Sequence, residues 1–247
     1  MSKTQIEWCD YTINPIKGLC PVACPYCYAR RLYDRFGWNP EIRYTDPGFT
    51  IAELQSIKKP SKIFWGSTME LFWDWPEIWL RDTFKIVEQF PQHTHIFLTK
   101  RPENLIKWTP FPENVWVGVS AVTNFYLIKA MHYLKDVKAN IKFVSMEPLL
   151  RWRPTENMTT YSHWLKECGI SWVIIGQQTP TSQKTCPEYR WIEDIVSAAD
   201  KAGAAVFIKD NLNACAIGDH PSLVDECGRL RQEFPIAIRL AEEVRTK

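Results

Sequence analysis

The chain has 247 residues, 45% of them hydrophobic, with a formal net charge of only +2. That length is ample for a buried core, and so small a charge supplies no bulk attraction toward long nucleic-acid duplexes. No apolar run is long enough to span a bilayer, and Met1-Ser2-Lys3-Thr4-Gln5 lacks the pattern of a signal peptide.

Taken in order, Ile6 to Tyr11 reads as a short first strand, broken by Asn14-Pro15 and Lys17-Gly18. Cys20-Pro21-Val22-Ala23-Cys24-Pro25-Tyr26-Cys27 follows, with three of the eight cysteines in eight residues. Tyr28 to Phe36 has helical spacing and stops at Gly37. The cysteines therefore sit on a loop between a strand and a helix. Residues 38–61 read as an extended crossover with a short helix near Ile51–Ile57.

A regular alternation begins at Lys62. Strands are expected at Lys62–Trp65, His95–Lys100, Val115–Ser120, Ile141–Glu147, Trp172–Gly176 and Ala205–Lys209. Helices are expected at Glu77–Phe90, Pro102–Trp108, Phe125–Leu134, His163–Cys168 and Tyr189–Ala202, and the tail beyond Asn211 is less regular. Short apolar strands alternating with helices imply an α/β fold with a parallel sheet. About seven βα-type units are expected on that pattern, which a barrel and an open doubly wound sheet both satisfy. No linker or composition break divides residues 1–247, so a single domain is expected.

In either architecture function collects at the carboxyl ends of the strands. Those ends carry Ser67, Thr68, Glu70, Thr99, Lys100, Arg101, Ser120, Glu147, Gln177, Lys209 and Asp210. Lys100 and Lys209 are the expected substrate-binding cations, suited to an anionic group such as a phosphate. Tryptophans beside basic residues, such as Trp152 between Arg151 and Arg153, suit nucleic acid or a nucleotide as a substrate class, with a small metabolite or a peptide as open alternatives.

The cysteine spacing limits the metal. A structural zinc site is closed by four protein ligands, whereas a 4Fe–4S cluster has four irons, each wanting a ligand. Cys20, Cys24 and Cys27 leave one iron open to a group that is not protein. Cys9, Cys168, Cys186, Cys215 and Cys227 are scattered, with no disulfide-like framework, which fits a reducing cytoplasm.

The Cys20–Cys27 motif resembles the signature of the radical S-adenosylmethionine (radical SAM) superfamily, including an aromatic residue, Tyr26, before the last cysteine. A more specific likeness is to an uncharacterised, phage-associated branch of radical-SAM-like proteins. It is carried by Asn14-Pro15, Cys27-Tyr28-Ala29, Phe97–Pro102, Val115–Ser120, Ser145–Leu150, Trp172–Gly176 and Val206–Lys209. The resemblance implies a partial (β/α)6-type TIM barrel with an irregular C-terminal extension. It implies a 4Fe–4S cluster on Cys20, Cys24 and Cys27, with SAM on the open iron and an external flavodoxin- or ferredoxin-type electron donor. It assigns SAM binding to Tyr26, Ser67, Thr68, Glu70, Ser120, Glu147 and Gly176, and hydrogen abstraction from a substrate C–H bond as the reaction.

Two departures stand out. Cys20 and Cys24 have the usual superfamily gap where the branch often has a longer one. Gly176-Gln177-Gln178 replaces the branch's Gly-Gly-Glu. The competing reading is a non-catalytic Fe–S or zinc module that binds nucleic acid or a protein partner.

Overall fold

The computed structural model describes residues 2–153, 158–215 and 220–235. The chain is mixed α/β and divides into two compact units, Met1–Gly118 with Lys138–Asn140, and Val119–Val137 with Ile141–Lys247.

The first unit begins with β1 (Ser2–Lys3) antiparallel to β2 (Tyr11–Ile13). β2 runs parallel to β5 (Lys62–Trp65), and β5 parallel to β6 (Thr94–Thr99). The next strand, β7 (Val115–Ser120), carries the chain out of this unit. Between β2 and β5 lie β3 (Ile16–Lys17), α1 (Tyr28–Phe36), β4 (Arg43–Tyr44) and α2 (Pro47–Gln55). β3 and β4 form their own antiparallel ribbon. α3 (Glu77–Glu88) follows β5, and a 3₁₀ helix covers Pro102–Trp108.

Apolar runs explain these strands. Ile63, Trp65, Ile96 and Phe97 are entirely buried, and the rings of Trp65 and Phe97 stack at 5.7 Å. Each such side chain stabilises the fold by roughly 1.5–3 kcal/mol relative to exposure. The expected first strand is displaced. Ile6–Cys9 is a turn, closed by a hydrogen bond from Cys9 N–H to Ile6 O (3.2 Å), and Trp8 packs on Phe64 at 4.7 Å. An apolar turn sunk in the core has the composition of a strand.

The second unit carries α4 (Asn124–Leu134), β8 (Ile141–Met146), α5 (Met158–Glu167), β9 (Ile170–Ile175), α6 (Tyr189–Ala202) and β10 (Ala205–Ile208). β8, β9 and β10 run parallel in that order. Phe143, Val144, Trp172, Ile174, Ile175, Val206 and Ile208 are buried from both sides of the strands, as parallel strands require. Beyond β10 come short 3₁₀ turns at Asp210–Cys215 and Pro221–Leu223, then a stretch in which Val224 bridges Leu230 and Gln232 bridges Phe207 of β10; residues 216–219 and 236–247 of the expected irregular tail lie outside the described residues. Among the described residues no helix is long and apolar enough to cross a membrane.

Candidate functional site

In the first unit the cysteine loop leaves β2 and runs into α1, with Cys27 as the residue before the first helical turn. Three contacts fix the loop. Arg30 Nη2 donates to Cys20 O (2.9 Å), Cys27 N–H to Cys24 O (3.1 Å), and Gly18 N–H to the Tyr33 hydroxyl (3.0 Å). Ala23 sits at φ 52°, in the left-handed region that costs a residue with a Cβ about 1–2 kcal/mol. Cys20, Cys24 and Cys27 all line one small cavity, with Thr68 and Arg30 also in its wall.

The loop after β5 closes against this one. Asn14 Nδ2 donates to Ser67 Oγ (3.1 Å), while Asn14 Oδ1 accepts from Thr68 N–H and Thr68 Oγ1, both at 3.0 Å. The Tyr28 hydroxyl donates to Ser67 O at 2.7 Å. Gly66 starts that loop at φ 78°, and a Cβ there would lie 2.6 Å from Leu71 Cγ and 2.7 Å from Met69 O. Only glycine fits.

Glu70 is buried and held at both oxygens. Oε1 accepts from Thr99 Oγ1 (2.6 Å) and Phe72 N–H (3.0 Å), and Oε2 accepts from Lys100 N–H (2.7 Å). Burial raises its pKa, against the lowering effect of those hydrogen bonds. Its carboxylate thus ties the end of β5 to the end of β6. Lys100 lies over the Tyr26 ring with Nζ 5.5 Å from the centroid. Arg101 is held by Glu103 at 2.8 Å and by Asp74 at 3.6 Å.

The three thiols, Tyr26, Ser67, Thr68, Glu70 and Lys100 therefore converge on the carboxyl ends of β2, β5 and β6. Burial pushes the Cys20 thiol up, and negative charge at Glu70 and Cys27 acts in the same sense. Hydrogen bonds from the backbone N–H groups of Val22 and Glu70 oppose this. A thiol under that pressure gains most from a metal cation, which favours the thiolate.

Among the described residues no three His, Cys, Asp or Glu side chains are grouped so as to hold a metal ion. In a 4Fe–4S cluster each cysteine takes its own iron, so the thiols must surround a space rather than meet at a point. Cys20, Cys24 and Cys27 share the wall of one small cavity, which is the part of that requirement the side chains meet.

In the second unit, Glu147, Gly176 and Lys209 come together at the ends of β8, β9 and β10. Lys209 Nζ donates to Glu147 Oε1 in an ion pair whose lysine is almost fully buried. Gly176 lies beneath the pair; a Cβ there would approach Lys209 Cδ to 3.0 Å and Glu147 Cγ to 3.2 Å. Lys209 is thus committed to Glu147. Ser120 is buried at the end of β7.

Gln177 is 1% exposed. Its Nε2 donates to Ser182 O (2.6 Å) and Thr185 Oγ1 (2.9 Å), and its backbone exchanges hydrogen bonds with the Asn211 amide (3.1 and 2.9 Å). The amide suits this loop.

Cys186 and Cys215 correct the expectation of unpaired cysteines: they form a disulfide, 29 residues apart in sequence. Adjacent parallel strands β9 and β10 deliver their following loops to one place, which spacing along the chain does not reveal. Trp152 is also corrected as a stacking surface. It is 3% exposed and packs on Tyr161 at 4.7 Å.

Asn14 is the residue that sequence reasoning named without a role; its partners lie 53 and 54 residues away. Its place directly before a proline, ahead of the cysteines, was the available signal.

A family model described as "Protein of unknown function (DUF5131)" matches residues 3–220. No curated protein and no solved structure matches the chain. With most of its length under that match, the chain belongs to the DUF5131 family.

Proposed function

We propose that this protein is a radical SAM enzyme, in which Cys20, Cys24 and Cys27 hold a 4Fe–4S cluster and SAM takes the remaining iron. The observation that carries this reading is the shared cavity. Three thiols line it on the loop leaving β2, beside Thr68 from the next strand end. When bound, the cluster and SAM supply reductive cleavage of SAM and hydrogen abstraction from a substrate C–H bond.

The chain's own groups have separable tasks. The N–H groups of Val22 and Glu70 that point at Cys20 stabilise charge on its sulfur. Asn14 sets the Ser67–Thr68 turn, leaving the second lone pairs of its hydroxyls for a SAM ammonium. Glu70 positions the β6 end, and Lys100 lies over the ring of Tyr26 in the cysteine loop. In the second unit Lys209 meets a substrate only if it releases Glu147.

On this reading the parallel strands belong to a partial (β/α)6-type barrel. A flavodoxin- or ferredoxin-type protein supplies electrons. The test is anaerobic purification. A brown protein whose visible absorbance changes on adding SAM supports the proposal; a colourless, zinc-loaded protein sinks it and favours the non-catalytic module.

A further inference from the structure

A second, larger cavity opens in the first unit, beside the cysteine loop. Its volume is roughly 710 Å³, within the range of small-ligand sites. Lys17, Arg43 and Phe49 line it, as does Asn14, whose side chain also holds Thr68 of the cysteine cavity. The two cavities thus flank one contact.

The cations are the informative part. Lys17 and Arg43 stand directly opposite each other in the β3–β4 ribbon. Opposed residues in a non-helical ribbon share a face, and like charges there destabilise it. Among the described residues neither forms an ion pair; Arg43 only donates to the Glu41 carbonyl at 3.2 Å. A ribbon of two residues per strand thus sets two cations side by side in the cavity wall, a pair suited to an anion. Phe49, on the first turn of α2, leaves its ring 70% exposed in the same cavity, and such a ring is a platform for a base. Asp46 and Glu53 also line the cavity. Asp46 keeps its charge while capping α2, accepting from Gly48 N–H at 2.7 Å, and Glu53 lies farther along that helix, so the carboxylates sit on the helix side and the cations on the ribbon.

We infer that the Lys17–Arg43 ribbon and Phe49 form a nucleotide-binding subsite, the cations taking a phosphate and the ring a base. This deepens the proposed function by naming its substrate class, and rests on that reading only for the claim that the bound nucleotide is a substrate.

Binding needs no cluster, so the test is separate. The full-length protein is titrated into 5′-labelled decauridylate and read by fluorescence anisotropy over a range of salt. The Lys17→Gln/Arg43→Gln variant should bind at least tenfold more weakly, with its salt slope shallower by about 1.4 for two lost phosphate contacts on a single strand. Phe49→Ala should lose about fivefold or more. Lys17→Glu, which replaces repulsion by an ion pair, should lose binding while its thermal midpoint holds or rises, separating lost binding from lost folding. Displacement of the probe by AMP at comparable concentration assigns the site to free nucleotides; displacement only by unlabelled decauridylate assigns it to single strands. The inference is overturned if neither decauridylate nor AMP binds the wild type, or if the double variant binds with unchanged affinity and slope. Neither result bears on whether Cys20, Cys24 and Cys27 hold iron.

Discussion

The strand ends of the two units spend their polar groups differently. In the first, Asn14, Ser67, Thr68 and Glu70 are tied mostly to backbone and to one another, and that scaffold leaves three thiols around a cavity. In the second, charge is neutralised where it arises: Lys209 pairs with Glu147 over Gly176, Gln177 is satisfied by its own loop, and Cys186 bonds Cys215. A strand end rich in ionisable residues is therefore not by itself a reactive one. What matters is whether those groups are consumed by one another.

The sharpest way to break this comparison is to remove thiols from each unit in turn. Cys20→Ala, Cys24→Ala or Cys27→Ala should each bring iron after anaerobic reconstitution close to background. The Cys186→Ser/Cys215→Ser variant should load as the wild type does. Equal iron loss in both sets would show that the first unit has no special claim to the metal.

The next effect concerns the turn that carries Ser67 and Thr68. Gly66→Ala forces a Cβ into backbone and Leu71 at a positive φ, and should cost about 3 kcal/mol in denaturant unfolding. Asn14→Ala removes three hydrogen bonds and should cost about 2 kcal/mol. Gly176→Ala, whose Cβ meets the flexible stem of Lys209, should cost only about 1 kcal/mol. If Gly176→Ala proves as damaging as Gly66→Ala, the second unit's pair is more rigid than its geometry implies.

A pH experiment sharpens the first unit's side. His95 Nδ1 accepts from Trp65 Nε1–H (2.9 Å), so the proton sits on Nε2, which donates to Phe90 O (3.1 Å). Burial lowers its pKa to about 4 from an ordinary 6.5. The unfolded chain therefore takes up this proton first as pH falls. Stability from this group is constant above about 6.5, is lost at up to about 1.4 kcal/mol per pH unit below it, and stops falling near 4. Read as the difference between wild type and His95→Gln, which cancels other titrating groups, unfolding free energies should diverge across that window. Parallel curves would contradict a buried neutral imidazole.

Much of this was legible locally. Tyr28–Phe36, Lys62–Trp65, Val115–Ser120 and Tyr189–Ala202 begin and end where periodicity and breakers place them, because each apolar run is bounded by a turn-forming or polar residue. The α2 start was misread by four residues, although Asp46-Pro47 carries a cap and a first-turn proline. The β3–β4 ribbon joins Lys17 to Arg43 across a loop that reads as irregular crossover. Asn14 to Thr68 and Cys186 to Cys215 are likewise contacts made by the fold, with no local pattern to announce them. The cysteines could be read because their spacing is itself the motif; the groups around them could not, because strand pairing brings them there.

The central claim is that the first unit's thiols support SAM cleavage. It is tested most directly by reconstituting the protein anaerobically with iron and sulfide, adding SAM and dithionite, and following 5′-deoxyadenosine by mass spectrometry. The account predicts 5′-deoxyadenosine from the wild type and from Cys186→Ser/Cys215→Ser, and none from Cys24→Ala. A wild type that holds a full cluster yet forms no 5′-deoxyadenosine, or a Cys24→Ala variant that still forms it, would contradict the account.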